Sequence, residues 1–568
     1  MQHRQRPPVS LALLAALAVG TACQPEHWPM YDRAEAVHAD SAMVVTVSPI
    51  ATQVGLDVLR RGGNAVDAAV AIGFALEVVH PSAGNIGGGG FMVFQLASGD
   101  VTTIDYRETA PGGATRDMYL DSAGNVTDAS VTGHLSVGVP GSVEGMYEAH
   151  ERFGKLPWAD VLAPAVRLAK EGFVLDAYRA RGIAANAKRL AMFPASARQF
   201  LPGGTPPDSG TTLVQADLAR TLQAIADSGA GVFYEGWIAD SIVAEMARGH
   251  GLINKSDLAA YHAIWRDPVT FSYRGYTIHS MAPASSGGVT LALMLNMLEG
   301  YDTLPAFESA AHVHLLAEVM RRAFADRNAY LGDPAFVNNP TTVLESQAYA
   351  DERRADIEPD AATPSTDVVP GIREGDHTTH YSVVDAEGNA VSVTTTLNSG
   401  FGSAVTVSGA GFLLNDEMDD FASAPGRPNM YGLVQGEVNA IQPGKRMLSA
   451  MTPTIVDDPQ GRLFLILGSP GGPTIITTVA QVISNVIDFG MPLDSAVGAP
   501  RVHHQHLPDT LRYEHAGLGR ATVKALRRMG YALAERRGYS GEVAAILRLQ
   551  NGWVGVEDPR ASGKAEGY

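Results

Sequence analysis

Residues 377–397 constrain this chain more than any other stretch. They hold two β-branched runs separated by a turn composition, with a threonine at the head of the first run. Residues 378–384 and 390–397 both have strand composition, the second carrying Val391, Val393, Thr394, Thr395 and Thr396. Asp385-Ala386-Glu387-Gly388-Asn389 between them favours a turn. A hairpin centred on Glu387 sets Thr396 opposite Thr378 on the same face, and a bulge at Gly388 would shift that register by one. A threonine hydroxyl is a weak nucleophile without a base beside it. Cutting the bond between His377 and Thr378 would free an α-amine whose unperturbed pKa is about 7.7–8, a usable base near neutral pH. The β-branched side chain limits the hydroxyl to few rotamers. The same residues also suit a hairpin that is only structural.

The 568 residues exceed one typical domain, yet no Pro- or Ser-rich linker divides them. A hydrophobic content of 45% supports a large core. The net charge of −18 argues against nucleic acid and anionic membrane as partners, so an acidic substrate would need a local cation. Arg4 and Arg6 followed by the apolar run 9–20 read as an export signal, since the run is shorter than the about 20 residues a bilayer requires. A small-x-small site at Gly20-Thr21-Ala22 would remove residues 1–22. Cys23, the single cysteine, then follows as a lipid-attachment position or an ordinary leader residue, and no intrachain disulfide can form. The expected destination is periplasmic or extracellular.

Residues 68–79 read as a helix apolar all round, hence buried between layers. Residues 91–96 read as a central strand. The stretch 156–333 is mostly helical by pattern, with 311–331 the clearest long helix. Residues 353–376 are polar and Pro-bearing, expected to be exposed and mobile up to His377. Further strands are expected at 404–408, 411–414, 454–456 and 463–467, and a helix at 477–489. Gly87–Gly90 fits neither a dinucleotide fingerprint nor a P-loop and reads as a tight turn with close backbone approach. His503, His504 and His506 match no zinc spacing and read as structural. Ser285-Ser286-Gly287-Gly288 lacks a nucleophile-elbow pattern and reads as a loop. Helical stretches around strand layers suggest helices outside a two-sheet sandwich.

Many blocks in order carry a resemblance to the γ-glutamyltranspeptidase family of N-terminal nucleophile hydrolases, from about residue 42 to 568. They include Arg61-Gly62-Gly63-Asn64-Ala65-Val66-Asp67, Ile86–Phe91, Arg107-Glu108-Thr109-Ala110-Pro111, Ser285–Gly288, Gly332-Asp333-Pro334, Thr378-Thr379-His380, Asp419-Asp420-Phe421, Lys445-Arg446, Gly468–Gly472 and Asp558-Pro559-Arg560. The resemblance implies an α/β (α+β) fold, the four-layer αββα sandwich of that superfamily. It implies self-cleavage into a large subunit, 24–377, and a small catalytic subunit, 378–568, that remain one globular heterodimer. It implies Thr378 as nucleophile, Thr396 as its hydrogen-bonding neighbour, and Gly471 and Gly472 as the oxyanion hole. Arg107 and Ser449 would hold the substrate's α-carboxylate, Asn398, Glu417 and Asp420 its α-ammonium, and Tyr431 would belong to a lid. No metal or organic cofactor is implied. The expected activity is hydrolysis or transfer of the γ-glutamyl group of glutathione and related compounds, to water or to an acceptor amino acid or peptide. One position departs from the family: where many members carry two adjacent serines, this chain has Ser449 and Ala450. A glutaryl-type amide acylase of the same fold, or an unprocessed and inactive surface binding protein, are the rival readings.

Overall fold

The computed structural model describes residues 30–568 except 32, 85, 369–376, 425–435 and 537, and only the backbone of His377. Fourteen strands build two central sheets. In chain order these are β1 (Ala36–Ala39), β2 (Met43–Thr46), β3 (Gly89–Gln95), β4 (Val101–Asp105), β5 (Ile264–Arg266), β6 (Val269–Tyr273) and β7 (Tyr276–Ser280). They continue as β8 (His377–Val384), β9 (Ala390–Asn398), β10 (Thr454–Asp457), β11 (Leu463–Gly468), β12 (Ala544–Arg548), β13 (Trp553–Glu557) and β14 (Lys564–Gly567). The first sheet runs β14-β2-β8-β9-β3-β4-β5 and the second β1-β13-β12-β11-β10-β7-β6, each seven-stranded. All their pairings are antiparallel.

The two-residue period of the strands sorts side chains into layers. Met43, Val45, Val93, Val384, Ile455, Ile466 and Ile546 meet between the sheets. Their neighbours Val44 and Val383 turn outward to α1 (Pro49–Arg60), α2 (Ala65–Val79), α3 (Trp158–Glu171) and α4 (Ala216–Ser228). On the other side Leu465, Leu467 and Ala545 turn to α5 (Gly287–Glu299), α6 (Ala310–Tyr330) and α7 (Thr474–Ile487). Each fully buried branched side chain contributes roughly 1.5–3 kcal/mol, so both faces of both sheets hold the stack together. The result is the expected αββα sandwich. Residues from both sides of position 378 interleave within the first sheet, where β8 lies between β2 and β9 and β9 packs on β3.

Helix α2 is buried along its whole length. It starts in a reciprocal cap: Asn64 Oδ1 accepts from the Val66 and Asp67 N–H groups at 3.0 Å, and Asp67 Oδ2 accepts from Asn64 N–H at 2.9 Å. Strand β3 is internal to its sheet, and the long helix falls one residue earlier than its apolar spacing suggested.

The structure corrects or adds to the sequence reading at four places. The middle is mostly helical as expected, but it also contains β5, β6 and β7, which join both sheets through short, half-buried runs whose pattern local periodicity did not reveal. Residues 404–408 and 411–414 are not strands; the chain reverses too tightly between them and keeps a single bridge, Thr406 to Leu413. Strands β12 to β14 were not anticipated, being short and Ala-, Gly- or Lys-bearing, and the sheet supplies their partners. Residues 353–368 are not uniformly exposed: Ser365 and Val368 are buried. Ser365 Oγ donates to the His506 carbonyl at 2.6 Å, and its N–H donates to Asp509 Oδ2 at 2.8 Å. Residues 369–376, expected to be mobile, lie outside the described residues, as do the leader, Cys23 and Tyr431.

Candidate active site

The hairpin register places Thr379 opposite Thr395 and continues in step to Val384 opposite Ala390, as centring on Glu387 requires. The turn therefore carries no bulge. The irregularity falls at the other end, where His377 pairs with Asn398 and the register shifts across Thr378. Thr378 thus sits at the mouth of the ladder, half-buried, rather than locked within it. Thr396 lines the same cavity as Thr378, and its Oγ accepts the Asn398 N–H at 2.7 Å. Asn398 has a left-handed backbone, φ 75°, and its Nδ2 donates to the Asp416 carbonyl at 3.0 Å. Two residues along, His380 bonds Thr394 Oγ at 2.9 Å and Ser382 Oγ at 3.1 Å. Burial pushes its pKa down to about 3, so it is a neutral structural imidazole.

Thr378 faces a nearly closed cavity together with Arg107, Thr396, Asn398, Glu417, Asp420, Ser449, Ala450 and Gly472. These come from the loop after β4, the β8–β9 hairpin, a 3-10 turn at Glu417–Asp420, the approach to β10 and the β11–α7 loop. Arg107 is buried and almost encircled by acids. Its Nη1 lies 2.7 Å from Glu417 Oε2 and 3.6 Å from Glu108 Oε2, while Nη2 bonds Asp420 Oδ2. Its Nε donates to the Met447 carbonyl at 3.3 Å, and its carbonyl accepts from Tyr261 Oη at 2.9 Å. Three carboxylates share this guanidinium. Burial, opposed by Arg107, pushes Glu108 up to about 8 and raises Glu417 and Asp420 as well. Burial also lifts Asp416 and Asp419 to about 7, with Ser399 and Ser130 respectively hydrogen-bonding them against that shift. The wall therefore holds more acid than its arginine neutralises, and a ligand cation would complete it.

Gly471 and Gly472 follow β11 with φ of 129° and 58°, backbone that side-chain-bearing residues rarely adopt. A Cβ on Gly471 would also collide with Thr474 Oγ. Gly472 reaches the closed cavity. Gly471 lies with Thr378 on a second, wider cavity. Among the described residues neither N–H has an acceptor, which suits them to a developing oxyanion.

The family profile described as Gamma-glutamyltranspeptidase matches residues 51–568. The chain belongs to the γ-glutamyltranspeptidase family. It is 46% identical to the glutathione hydrolase proenzyme of Escherichia coli, across 92% of this chain and 91% of that protein. It is also 42% identical to the acylase ACY 1 proenzyme of Pseudomonas sp. strain SE83, across 89% of each. A solved cephalosporin acylase from Bacillus halodurans superposes with a TM-score of 0.83 at 28% identity, covering 96% of this chain and 99% of that one.

Within this γ-glutamyltranspeptidase-family fold, sequence reasoning missed the support behind the cavity wall. Ser285 and Ser286, taken for a plain loop, clamp the segment that carries Ser449. Ser286 donates from both N–H and Oγ to the Ser449 carbonyl, at 2.7 and 2.6 Å, and Ser285 Oγ donates to the Met451 carbonyl at 2.6 Å. Buried Arg327 of α6 donates from Nε to Ser286 Oγ at 2.7 Å, and its charge favours the ionised form of Asp420. The available signal was a helix carrying Glu318, Arg321, Arg322, Asp326 and Arg327 through an otherwise apolar stripe, a pattern that demands buried partners. The glycine run does make a close approach, since a Cβ on Gly87 would strike the Leu413 carbonyl oxygen. The histidines at 503–506 are buried and hydrogen-bonded: His503 to Thr477, His506 to the Ser365 and Val368 carbonyls. Among the described residues no His, Cys, Asp and Glu cluster is placed to hold a metal. No helix among them is long and apolar enough to cross a membrane.

Proposed function

We infer that this protein is a γ-glutamyl hydrolase and transpeptidase that acts on glutathione and related γ-glutamyl compounds. The carrying observation is that Thr378, Arg107 and the Glu417–Asp420 turn, three separate parts of the sequence, face one nearly closed cavity. That cavity pairs one cation with an excess of acid, the complement of an α-amino acid headgroup. The substrate's α-carboxylate takes the Arg107 fork, and its α-ammonium takes Glu417, Asp420 and the Asn398 amide oxygen. Each charged partner of the empty site is thus exchanged for a substrate group of the same sign. Ser449 Oγ already accepts the Met451 N–H at 3.2 Å, so its own proton is available to the carboxylate.

The chain is a proenzyme. Thr378 Oγ attacks the His377 carbonyl, and hydrolysis of the resulting ester leaves subunits 24–377 and 378–568 as a heterodimer. In the mature enzyme the Thr378 α-amine accepts the proton from Oγ as the hydroxyl attacks the γ-carbonyl. The Gly471 and Gly472 N–H groups hold the oxyanion, and the proton passes to the leaving nitrogen as the C–N bond breaks. Water, or an acceptor amino acid or peptide, then cleaves the acyl ester. Thr396 orients Oγ, Tyr431 belongs to the lid, and the leader 1–22 directs export to the periplasm or beyond, leaving Cys23 as a lipid-attachment position or an ordinary residue after the leader.

The glutaryl-acylase reading is favoured by Ala450 in place of a second carboxylate-side hydroxyl and by the similarity to the two acylases. Glu417 and Asp420 weigh against it, because their charge repels a glutaryl group that lacks an ammonium. Paired γ-glutamyl and glutaryl anilides, assayed with and without a dipeptide acceptor, test the assignment: a glutaryl preference overturns the substrate. A gel with one band in place of two would instead support an inactive binding protein.

A further inference from the structure

A cavity of about 280 Å³ shares no lining residue with the pocket around Thr378. It lies between residues 109–112, which follow β4, residues 257–264, which lead into β5, and residues 444–446. Its walls include Thr109, Asp257, Ala260, Tyr261, His262 and Arg446. Small-molecule sites commonly hold roughly 300–1,000 Å³, so this one limits its occupant to about amino-acid size.

Arg446 is only 6% exposed. Its Nη2 donates to the His262 carbonyl at 2.6 Å, and its guanidinium stands 5.7 Å from the centre of the Tyr261 ring. Its Nε makes no hydrogen bond. The ion-pair partner of that nitrogen, Asp105, stands 3.5 Å away and is committed elsewhere. Asp105 Oδ2 accepts from Nε and Nη2 of Arg266 at 2.9 and 2.7 Å, and Oδ1 accepts the Arg107 N–H at 2.9 Å. Asp333 Oδ2 takes the main-chain N–H of Arg446 at 2.8 Å. A buried guanidinium short of acceptors favours an added anion, and its planar fork fits a carboxylate.

Asp257, from the short helix Lys255–Ala259, brings the opposite charge to the same cavity and is half-buried. Its Oδ1 accepts the Gly112 N–H at 2.9 Å and its Oδ2 the Asn254 N–H at 3.0 Å. Each oxygen keeps a further lone pair for an ammonium.

We propose that this cavity is a second ligand site, and that it binds a small amino acid with its carboxylate on Arg446 and its ammonium toward Asp257. The site adjoins the frame of Arg107. Tyr261 Oη donates to the Arg107 carbonyl at 2.9 Å, and Asp105 holds the Arg107 N–H. Both residues also meet Arg446, so an occupant is one side chain removed from the Arg107 backbone.

The test titrates glycine, with acetate as its anionic half, into wild type and Arg107→Ala by calorimetry. Glycine should bind both proteins, because the Arg107 side chain takes no part. Arg446→Met should weaken glycine about tenfold or more, the scale of a hydrogen bond to a charged group, and Arg446→Lys should recover part. Ala260 is an exposed member of the lining, so Ala260→Glu adds a negative charge without disturbing buried residues and should abolish binding of both probes. Asp257→Asn should weaken glycine and spare acetate. Loss of glycine binding in Arg107→Ala, or unchanged binding in Arg446→Met and Ala260→Glu, overturns the proposal. Equal affinities for glycine and acetate in wild type and Asp257→Asn overturn the amino-acid assignment.

Discussion

The β8–β9 hairpin and the Arg107 wall meet at Thr378, yet they are built by opposite rules. The hairpin is local, and its acids, Asp385 and Glu387, are confined to the turn. Its strands are consecutive, its register is set by that five-residue turn, and its strands carry hydroxyls, Asn398 and His380, which burial keeps neutral. The wall is assembled from residues 107, 417–420 and 449–450, which share no element, and it concentrates charge in the core. A nucleophile needs a hydroxyl, a base and freedom from the ladder, all of which one residue at a strand mouth can supply. A pocket for a zwitterion needs opposite charges a few ångströms apart, which no short segment can present. On the proposed function, chemistry would reside in the hairpin and selectivity in the wall, and changes to the two regions should separate.

The largest effect is expected at Thr378. Thr378→Ala should remain one chain and show no turnover, since one hydroxyl serves both maturation and catalysis. N-terminal sequencing of the wild-type small chain should read Thr378-Thr379-His380; any other start would remove Thr378 from the mechanism.

Arg107→Ala should mature normally but lose at least about a hundredfold in kcat/KM for a γ-glutamyl anilide, the scale of a two-bond ionic contact at roughly 1.5–3 kcal/mol per bond. It should also melt earlier, because Glu417 and Asp420 lose their buried counter-charge. Arg107→Lys should recover only part of the activity for want of the planar fork. Unprocessed Arg107→Ala would erase the proposed separation of regions.

Ala450→Ser should tighten γ-glutamyl binding by about tenfold, one added hydrogen bond to a carboxylate. The readout is KM for γ-glutamyl and glutaryl anilides in parallel. A neutral or harmful serine would mean that the wall is tuned to another acyl group.

The smallest effect is in pH dependence, where the regions pull in opposite directions. His380 has a folded pKa lowered to about 3, so its contribution is present above about 6.5 and is lost as pH falls below that value. Asp416 and Asp419, raised to about 7, and Glu108, raised to about 8, do the reverse. The folded state binds their protons more tightly than the unfolded chain, so stability declines as pH rises from about 4 toward 8. With three such acids against one histidine, melting temperature should fall as pH rises from about 4 toward 8. Bound L-glutamate should flatten the alkaline limb, because its ammonium favours the ionised acids. An alkaline limb unchanged by glutamate would place its ammonium away from this wall.

What was legible follows the same division. The register that pairs Thr379 with Thr395 could be counted from a turn and two β-branched runs, because hairpin pairing depends on neighbours in sequence; the shift across Thr378 could not. The family blocks pointed to Arg107, Asn398, Glu417, Asp420, Ser449, Gly471 and Gly472 as separate residues. Their meeting around one cavity, and the ion pairs that link Arg107 to Glu417 and Asp420, could not be counted from any spacing. The clamp from Arg327 through Ser286 to the Ser449 carbonyl spans α6, the start of α5 and the approach to β10, and looked like an ordinary glycine-serine loop.

The sequence by itself determined the hairpin, the buried α2 helix, and a threonine able to become its own base. These rest on dihedral preference, side-chain period and nearest-neighbour hydrogen bonds, which act over a few residues. Only the tertiary structure decided where the charges go. The energy of a buried carboxylate depends on how much water it loses and which cation stands beside it, and the stacking of two sheets brings Arg107, Glu417 and Asp420 together in the dry space next to Thr378.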